Sequence, residues 1–188
     1  MKTRKILSIT MIAFTLMLTG NAFAQKEKTV TVGGAPMYPS KNIVENAVNS
    51  KDHTTLVAAV KAADLVETLM SKGPFTVFAP TNAAFDNLPA GTVEALLKPE
   101  NKKLLQTVLT YHVVAGKMSA KDIMAAIKKG DGKASLKTVS GGILIASMKG
   151  KDIHLMDENG GSAKITISDV NQSNGVIHVI DSVVTPKA

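Results

Sequence analysis

The segment FTVFAPTNAAF, at 75–85, restricts the possible fold of this chain more than any other stretch. Its defining residues are Phe75, Phe78, Pro80, Thr81, Asn82 and Phe85. Phe75 and Phe78 belong to a predicted short apolar strand that runs as far as Pro80. Thr81 and Asn82 are residue types that cap helix N-termini, so they predict a helix that begins directly after the strand. Phe85 then folds back onto the strand, which makes the segment a compact strand–turn–helix unit.

A second informative segment, NGVIHVIDSVV, lies at 174–184 near the end of the chain. Asn174 and Gly175 predict a turn with positive φ, because both residue types tolerate that conformation. The β-branched residues that follow predict a strand too apolar for an exposed edge, and His178 is interpreted as one of its residues.

Between these two segments lies the pair Tyr111 and His112. The three features, in this order and spacing, resemble the fasciclin (FAS1) domain over about 40–186. The resemblance implies an α+β fold: a compact β-sandwich or wedge, with a helical layer formed mainly by the N-terminal half. It also implies a structural role for the motif residues named in the two segments.

The first residues have the features of a secretory signal peptide, at 1–24. A start with three cationic residues precedes an apolar stretch at 6–18, and Ala22 and Ala24 give a small-x-small cleavage site. We therefore expect cleavage near Ala24 and a protein that is secreted or periplasmic. No later stretch approaches the roughly 20 apolar residues needed to cross a bilayer. The chain has no cysteine, so neither a lipid-modified cysteine nor a disulfide framework is available.

The charge of the mature chain argues against nucleic-acid binding. The full sequence carries +7, and removal of the three cationic residues of the signal peptide leaves +4 (7 − 3). Arg4 is the sole arginine, so the mature chain has no guanidinium for bidentate contacts with phosphate or guanine. The scattered lysines are interpreted as a solvated surface.

The remaining pattern divides the mature chain into a polar lead-in or linker at 25–42 and a single FAS1 domain at 43–186. Helical periodicity dominates from 43 to 70, with a break near Asp64. Ser119 and Asp122 have the spacing of a capping box, which predicts a helix that ends at Gly130. From 134 onward, short apolar runs separated by turn residues predict a meander of strands.

The sequence does not predict an enzyme. His178, Asp181 and Ser182 are close in sequence, but in a strand the second of them points away from the other two. The histidines do not have the spacing of a metal site, so no metal and no cofactor are expected.

Two pairs remain as candidates for contact with a partner. Tyr111 and His112 occupy a position discussed in FAS1 domains in connection with adhesion, although a buried, hydrogen-bonded His112 is the favoured interpretation. Asp169 and Val170 match an acidic–aliphatic pair that the resemblance connects with integrin recognition in animal proteins. This chain has valine for isoleucine there and lacks the preceding Glu-Pro, so a different partner is expected.

The sequence therefore favours an exported, non-enzymatic binding protein that acts in cell-surface or matrix adhesion or in another protein–protein interaction. Its partner would be an envelope or extracellular protein or a surface glycan. The alternative is a soluble carrier of an apolar small molecule such as a carotenoid. For that function, four methionines are candidates for adaptable groove liners, although ordinary core filling is the favoured interpretation: Met118, Met124, Met148 and Met156.

Overall fold

The structure, a computed structural model, describes residues 27–187. The predicted signal peptide and its cleavage site lie outside these residues. The helices are α1 Ile43–Ala47, α2 Thr54–Ala62, α3 Val66–Met70, α4 Asn82–Asp86, α5 Thr92–Leu96, α6 Lys102–Tyr111 and α7 Ala120–Lys129. The strands are β1 Val30–Val32, β2 Ala35–Met37, β3 Phe75–Pro80, β4 Val113–Ala115, β5 Lys133–Lys137, β6 Ile143–Lys149, β7 Asp152–Met156, β8 Ser162–Gln172 and β9 Gly175–Ile180.

The main sheet has the strand order β4-β3-β9-β8-β7-β6-β5. Strands β5 to β9 form the predicted antiparallel meander, and β3 inserts beside β9 as its parallel neighbour, with Phe78 opposite His178. Helices α1 to α4 lie in the N-terminal half of the chain, α5 spans its midpoint and α6 follows, so the helical layer comes mainly from the N-terminal half, as the sequence predicts. The α+β class is therefore confirmed.

The sheet curls until its two outer strands meet. Val114 of β4 forms an isolated antiparallel bridge with Thr138, which directly follows β5. The backbone amide of Val139 donates to the carbonyl of Val113 at 2.7 Å. The result is a wedge rather than an open sheet.

Apolar residues fill both sides of the central strand β9, all of whose residues are buried. One core lies inside the curl, where Ile123 and Ile127 of α7 pack on β5 to β8. The capping box of Ser119 and Asp122 is present, so the predicted start of α7 is confirmed. The other core lies between the sheet and the N-terminal helices. Because β9 is covered on both faces, its sequence is apolar without alternation.

Residues 30–37 differ from the polar lead-in predicted for 25–42. They form the β1–β2 hairpin, whose Val32 and Met37 are buried against the sheet. Asn46 of α1 holds the end of the hairpin by bonding both backbone groups of Tyr38, at 3.0 Å to the amide and 2.8 Å to the carbonyl. The glycines and Pro36 suggest a linker in the sequence, but the packing of two apolar side chains makes the segment part of the folded unit.

Candidate functional site

An apolar cleft separates the N-terminal helices from the sheet, with a volume of about 90 Å³. The sheet side consists of buried aliphatic residues: Val77, Ala79, Val170 and Ile177. The helical side is formed by α1 to α3 and the segment between α2 and α3, through Val44, Leu56, Val57, Val60, Leu65 and Leu69. Several of these helical residues are only half-buried. The cleft is thus a concave apolar surface that the chain itself does not fill.

Helix α3 is a wall of the cleft whose N-terminal end is weakly anchored. It has five residues, none of them buried, and no side-chain cap at its N-terminus. Asp64, in the preceding break, has a left-handed backbone with φ 53°. Short helices with few buried contacts open at low free energy, so the N-terminal end of α3 is the part of the wall best able to move when a ligand enters.

A buried polar pair, Ser50 and His53, lies at one end of the cleft. The hydroxyl Oγ of Ser50 is 2.8 Å from Nδ1 of His53, and each residue is only 3% exposed. The other ring nitrogen, Nε2, is buried without a hydrogen-bond partner. Burial lowers the pKa of His53, against smaller raising effects of the Ala79 carbonyl and the Asp52 carboxylate. The ring is therefore neutral at pH 7.

The turn that carries this pair is held at both sides. The Asn82 side chain donates to the Lys51 carbonyl at 2.9 Å and accepts from the Thr55 amide at 3.0 Å. The Lys51 amide donates to the Gly33 carbonyl of the N-terminal hairpin at 3.1 Å. A Cβ on Gly33 would lie 2.3 Å from Ser50 Oγ, so only glycine allows this approach.

Asn174 connects the helical walls of the cleft to the sheet. Its side-chain oxygen accepts from the Ile43 amide at 3.0 Å, at the start of α1. Its side-chain nitrogen donates to the carbonyls of Leu69 and Ser71 at 2.7 and 2.8 Å, at the end of α3. One residue therefore fixes two helix ends relative to β9.

The structure does not give Gly175 the positive φ that the sequence predicts. The turn residues are Ser173 and Asn174, and neither they nor Gly175 have positive φ. A Cβ on Gly175 would instead lie 2.1 Å from the carbonyl oxygen of Phe75. Glycine is needed here because β3 and β9 approach closely, and not because of its own backbone conformation.

The other motif residues of the first segment take the predicted positions. Phe75 and Pro80 are the ends of β3, and Phe78 within it is completely buried. Thr81 caps α4 by accepting from the Ala84 amide at 3.3 Å. Phe85, in α4, is 8% exposed.

Tyr111 and His112 are interior residues at the end of α6, with exposures of 0% and 3%. The Tyr111 hydroxyl donates to the Ile143 carbonyl at 2.7 Å, and burial raises the pKa of this phenol to about 12. Nδ1 of His112 is 2.8 Å from the Val108 carbonyl, and Nε2 accepts from the Val184 amide at 3.2 Å. Both partners of His112 are backbone groups. Direct contact between this pair and a partner would require the fold to open.

Burial also lowers the pKa of His112 to about 4, because the charged form would lose its hydration inside the core. The Val108 carbonyl and the Asp157 charge counteract this effect only in part. His112 is thus a neutral, structural histidine.

Asp169 and Val170 are not a free surface pair. Val170 is 1% exposed and packs in the core beneath the helices. Asp169 lies at a β-bulge, where β8 has an extra residue relative to β9, and has a left-handed backbone with φ 58°. Its Oδ1 accepts from the Ala120 amide at 2.8 Å, and its own amide donates to Nδ1 of His178 at 3.3 Å.

His178 is a residue of β9, as predicted, and completely buried. Its ring stacks on Phe78 with centroids 5.7 Å apart, and Nε2 is 2.9 Å from the Met118 carbonyl. Burial lowers the pKa of His178, against raising effects of the Met118 carbonyl and the Asp169 charge. Asp169, His178 and the segment before α7 form one bonded group.

The methionines considered as groove liners do not line the cleft. Met118 and Met148 pack on the core around α7, whereas Met124 and Met156 are 41% and 39% exposed. The methionine of the cleft is Met37, in the hairpin that was predicted to be a linker.

Among residues 27–187, no group of His, Asp and Glu side chains is arranged to hold a metal ion. In the same part of the chain, no helix has both the length and the apolarity required to span a bilayer.

The sequence of the chain matches one family model and several related proteins. The family model for the fasciclin domain matches residues 51–186. Protein sll1483 of Synechocystis is 47% identical over 164 residues, which cover 85% of this chain and 82% of that protein. Immunogenic protein MPB70 of Mycobacterium bovis is 36% identical over 147 residues, covering 76% of this chain and 67% of its own. Cell surface glycolipoprotein MPB83 of the same species is 37% identical over 147 residues, which cover 76% of this chain and 59% of that protein.

The fold is similar to a solved FAS1 domain pair from the insect cell adhesion molecule fasciclin I. The TM-score is 0.67 at 16% identity, and the match covers 84% of this chain but 58% of that one. The FAS1 fold implied by the sequence motifs is thereby confirmed. Because β1 and β2 precede residue 51, the hairpin lies outside the part of the chain that the family model matches.

Proposed function

Because the chain belongs to the fasciclin family, we propose that it is an exported, non-enzymatic binding protein whose cleft binds an apolar small molecule. The observation that carries this proposal is the cleft of about 90 Å³ between sheet and helices, whose exposed surface is almost entirely apolar. Transfer of hydrocarbon from water into such a site is favourable by roughly 25 cal/mol per Å² of buried surface.

The size of the cleft sets a condition on the ligand. A cavity of about 150 Å³ holds one benzene molecule, so a space of about 90 Å³ admits a larger molecule only if a wall moves. Helix α3 supplies that wall, since it buries no residue. A linear chain or the end ring of a longer molecule, such as a carotenoid, fits this description better than a bulky rigid ligand.

A fluorescence titration tests the proposal. N-phenyl-1-naphthylamine is a dye that emits strongly in apolar sites, and the mature protein should enhance its emission in a saturable way. Val66→Lys places a charge on the half-buried cleft side of α3 and should weaken binding about tenfold or more, because the ammonium loses hydration as the ligand enters. Leu104→Lys is the matched control, because Leu104 is 53% exposed and does not line the cleft.

Equal affinity of the wild type and Val66→Lys would show that the dye binds elsewhere and would count against the cleft. The natural ligand class can be obtained by incubating the protein with envelope lipids and pigments of its host. Bound molecules are then extracted and identified by mass spectrometry, with Val66→Lys processed in parallel.

Adhesion is the second candidate function, and the relatives favour it. One is named a cell surface glycolipoprotein, and the similar solved structure is part of a cell adhesion molecule. A single domain of this kind would adhere strongly only in many copies, through avidity. An attachment assay with the protein coupled at high and low density to beads distinguishes the two functions, because adhesion depends steeply on density and dye binding does not.

A further inference from the structure

One buried polar atom of a residue that lines the cleft has no well-placed hydrogen-bond partner. Nε2 of His53 is fully buried and makes no hydrogen bond among the described residues. The Ala79 carbonyl acts on the ring as a hydrogen-bond acceptor and raises its pKa, but no group of the described residues meets full hydrogen-bond geometry with Nε2. A buried polar group without a partner costs about 1 to 3 kcal/mol, so such a group calls for an explanation.

The partner of the other nitrogen determines which kind of group is missing. Ser50 is buried, and its hydroxyl hydrogen has one acceptor within reach in the described chain, Nδ1 of His53. If Nδ1 carried the proton instead, the hydroxyl hydrogen would be unsatisfied as well. The arrangement that leaves fewer groups unpaired has Ser50 donating to Nδ1, which places the ring proton on Nε2. Nε2 is therefore a donor without an acceptor at full hydrogen-bond geometry.

The ring is also held in place before any ligand arrives. Asn82 and Gly33 fix the turn from opposite sides through Lys51, so a ligand does not have to order this part of the site. Preorganised donors contribute more to affinity than donors that must first be immobilised.

We infer that His53 is the polar anchor of the cleft and donates from Nε2 to a neutral acceptor oxygen, such as a ketone, aldehyde or ester carbonyl, on an otherwise hydrocarbon ligand. This inference rests on the proposed function, because it assumes that the ligand enters the cleft. A neutral carbonyl matches a neutral imidazole, whereas a carboxylate would bring an uncompensated charge into an apolar space.

The test uses two compounds of equal chain length, 2-dodecanone and n-dodecane, which differ by one carbonyl. Each competes with N-phenyl-1-naphthylamine for the mature protein and is delivered through the vapour phase at a fixed activity. The variants are His53→Leu, which removes the donor, and His154→Leu as the matched control, on β7 and outside the cleft. We expect the preference for the ketone to fall about tenfold in His53→Leu, with unchanged affinity for dodecane and no change in the control.

Nitrogen-15 chemical shifts of the wild-type His53 ring give a second readout that does not depend on a variant folding. 2-Dodecanone should shift the Nε2 resonance and its attached proton, and dodecane should not. If both compounds displace the dye and the ketone preference survives in His53→Leu, or the Nε2 resonance does not respond to the ketone, the anchor is refuted while the cleft remains a binding site. If neither compound displaces the dye from the wild type, the proposed function itself fails and the anchor fails with it.

Discussion

The carboxylate of Asp169 accepts a hydrogen bond from the backbone amide of Ala120, with Oδ1 2.8 Å from the nitrogen. Ala120 is the first residue of α7, so its amide has no partner within the helix. The bond joins the bulge of β8 to the start of a helix 49 residues earlier in the chain. A residue pair that resembles a recognition motif thus has a structural role.

Asp169→Ala should therefore destabilise the protein by about 2 kcal/mol, through the lost bond and the left-handed backbone that alanine tolerates poorly. Asp169→Asn should cost less than about 1 kcal/mol, since asparagine keeps the acceptor and accepts this conformation. Urea unfolding of both variants measures the difference. Equal stabilities for wild type and Asp169→Ala would show that the Ala120 bond contributes nothing.

Asn174→Asp should lower the free energy of unfolding by about 3 kcal/mol. The substitution keeps the shape but removes two N–H donors and places a carboxylate against the carbonyls of Leu69 and Ser71. Asn87→Asp is the control, because Asn87 is exposed. Hydrogen exchange should show the largest loss of protection in α1 and α3, and uniform loss across the domain would contradict a local clamp.

Gly175→Ala should cost about 3 kcal/mol, because its Cβ would overlap the Phe75 carbonyl oxygen and push β3 away from β9. Gly34→Ala is a useful comparison, since Gly34 has φ 77° and open space around it. That variant should lose only about 1 kcal/mol from backbone strain. Thermal melts of the two variants rank them, and a smaller loss at Gly175 would disprove the close-approach explanation.

His112→Ala should destabilise by about 3 kcal/mol, since it leaves a cavity and removes the partners of the Val108 carbonyl and the Val184 amide. His154→Ala, on the outer face of β7, should remain within about 0.5 kcal/mol of wild type. Any loss of ligand binding or adhesion in His112→Ala should follow the loss of stability. A variant that melts like wild type but no longer binds would assign this histidine a direct role.

Stability should decrease as the pH falls from about 6.5 towards 4. In the unfolded chain a histidine titrates near 6.5, whereas burial lowers the pKa of His112 to about 4 and that of His53 and His178 in the same direction. Between these values the unfolded state binds more protons, so protonation favours unfolding; above about 6.5 both states are neutral and the effect vanishes.

The contribution of His112 alone should be about 2 kcal/mol between pH 7.5 and pH 5. Urea midpoints at the two pH values measure the total change in the free energy of unfolding. His112→Gln should remove the part of that change that is due to His112. A pH dependence that is the same in His112→Gln and wild type would show that this ring does not carry it.

Local patterns in the sequence predicted much of the fold. The capping box of Ser119 and Asp122 and the cap at Thr81 depend on residues three positions apart, so they can be recognised without tertiary information. The apolar run after Gly175 likewise identifies a strand covered on both faces. The sequence does not predict the hairpin at 30–37, because its strands are three residues long and one contains proline, and its support comes from packing on the sheet and from hydrogen bonds with Asn46 and Lys51.

The candidate site was much less predictable. Its walls come from segments far apart in the chain, so no local period marks the cleft. His53 is isolated in sequence, and its significance arises from Ser50 on one side and an empty bonding position on the other. Asp169 appeared exposed because its partner, Ala120, can be found only once α7 has been placed against β8.

The contact between β4 and the chain after β5 has a consequence for association between molecules. Unpaired strand edges recruit further strands and seed intermolecular assembly, which is a hazard for a protein with no cysteine available for a disulfide. Here the edge at Val113 and Val114 is occupied by Val139 and Thr138 of the same molecule. The curled sheet therefore covers this part of its own edge, and a strand from a second molecule would have to displace Thr138 and Val139 to pair there.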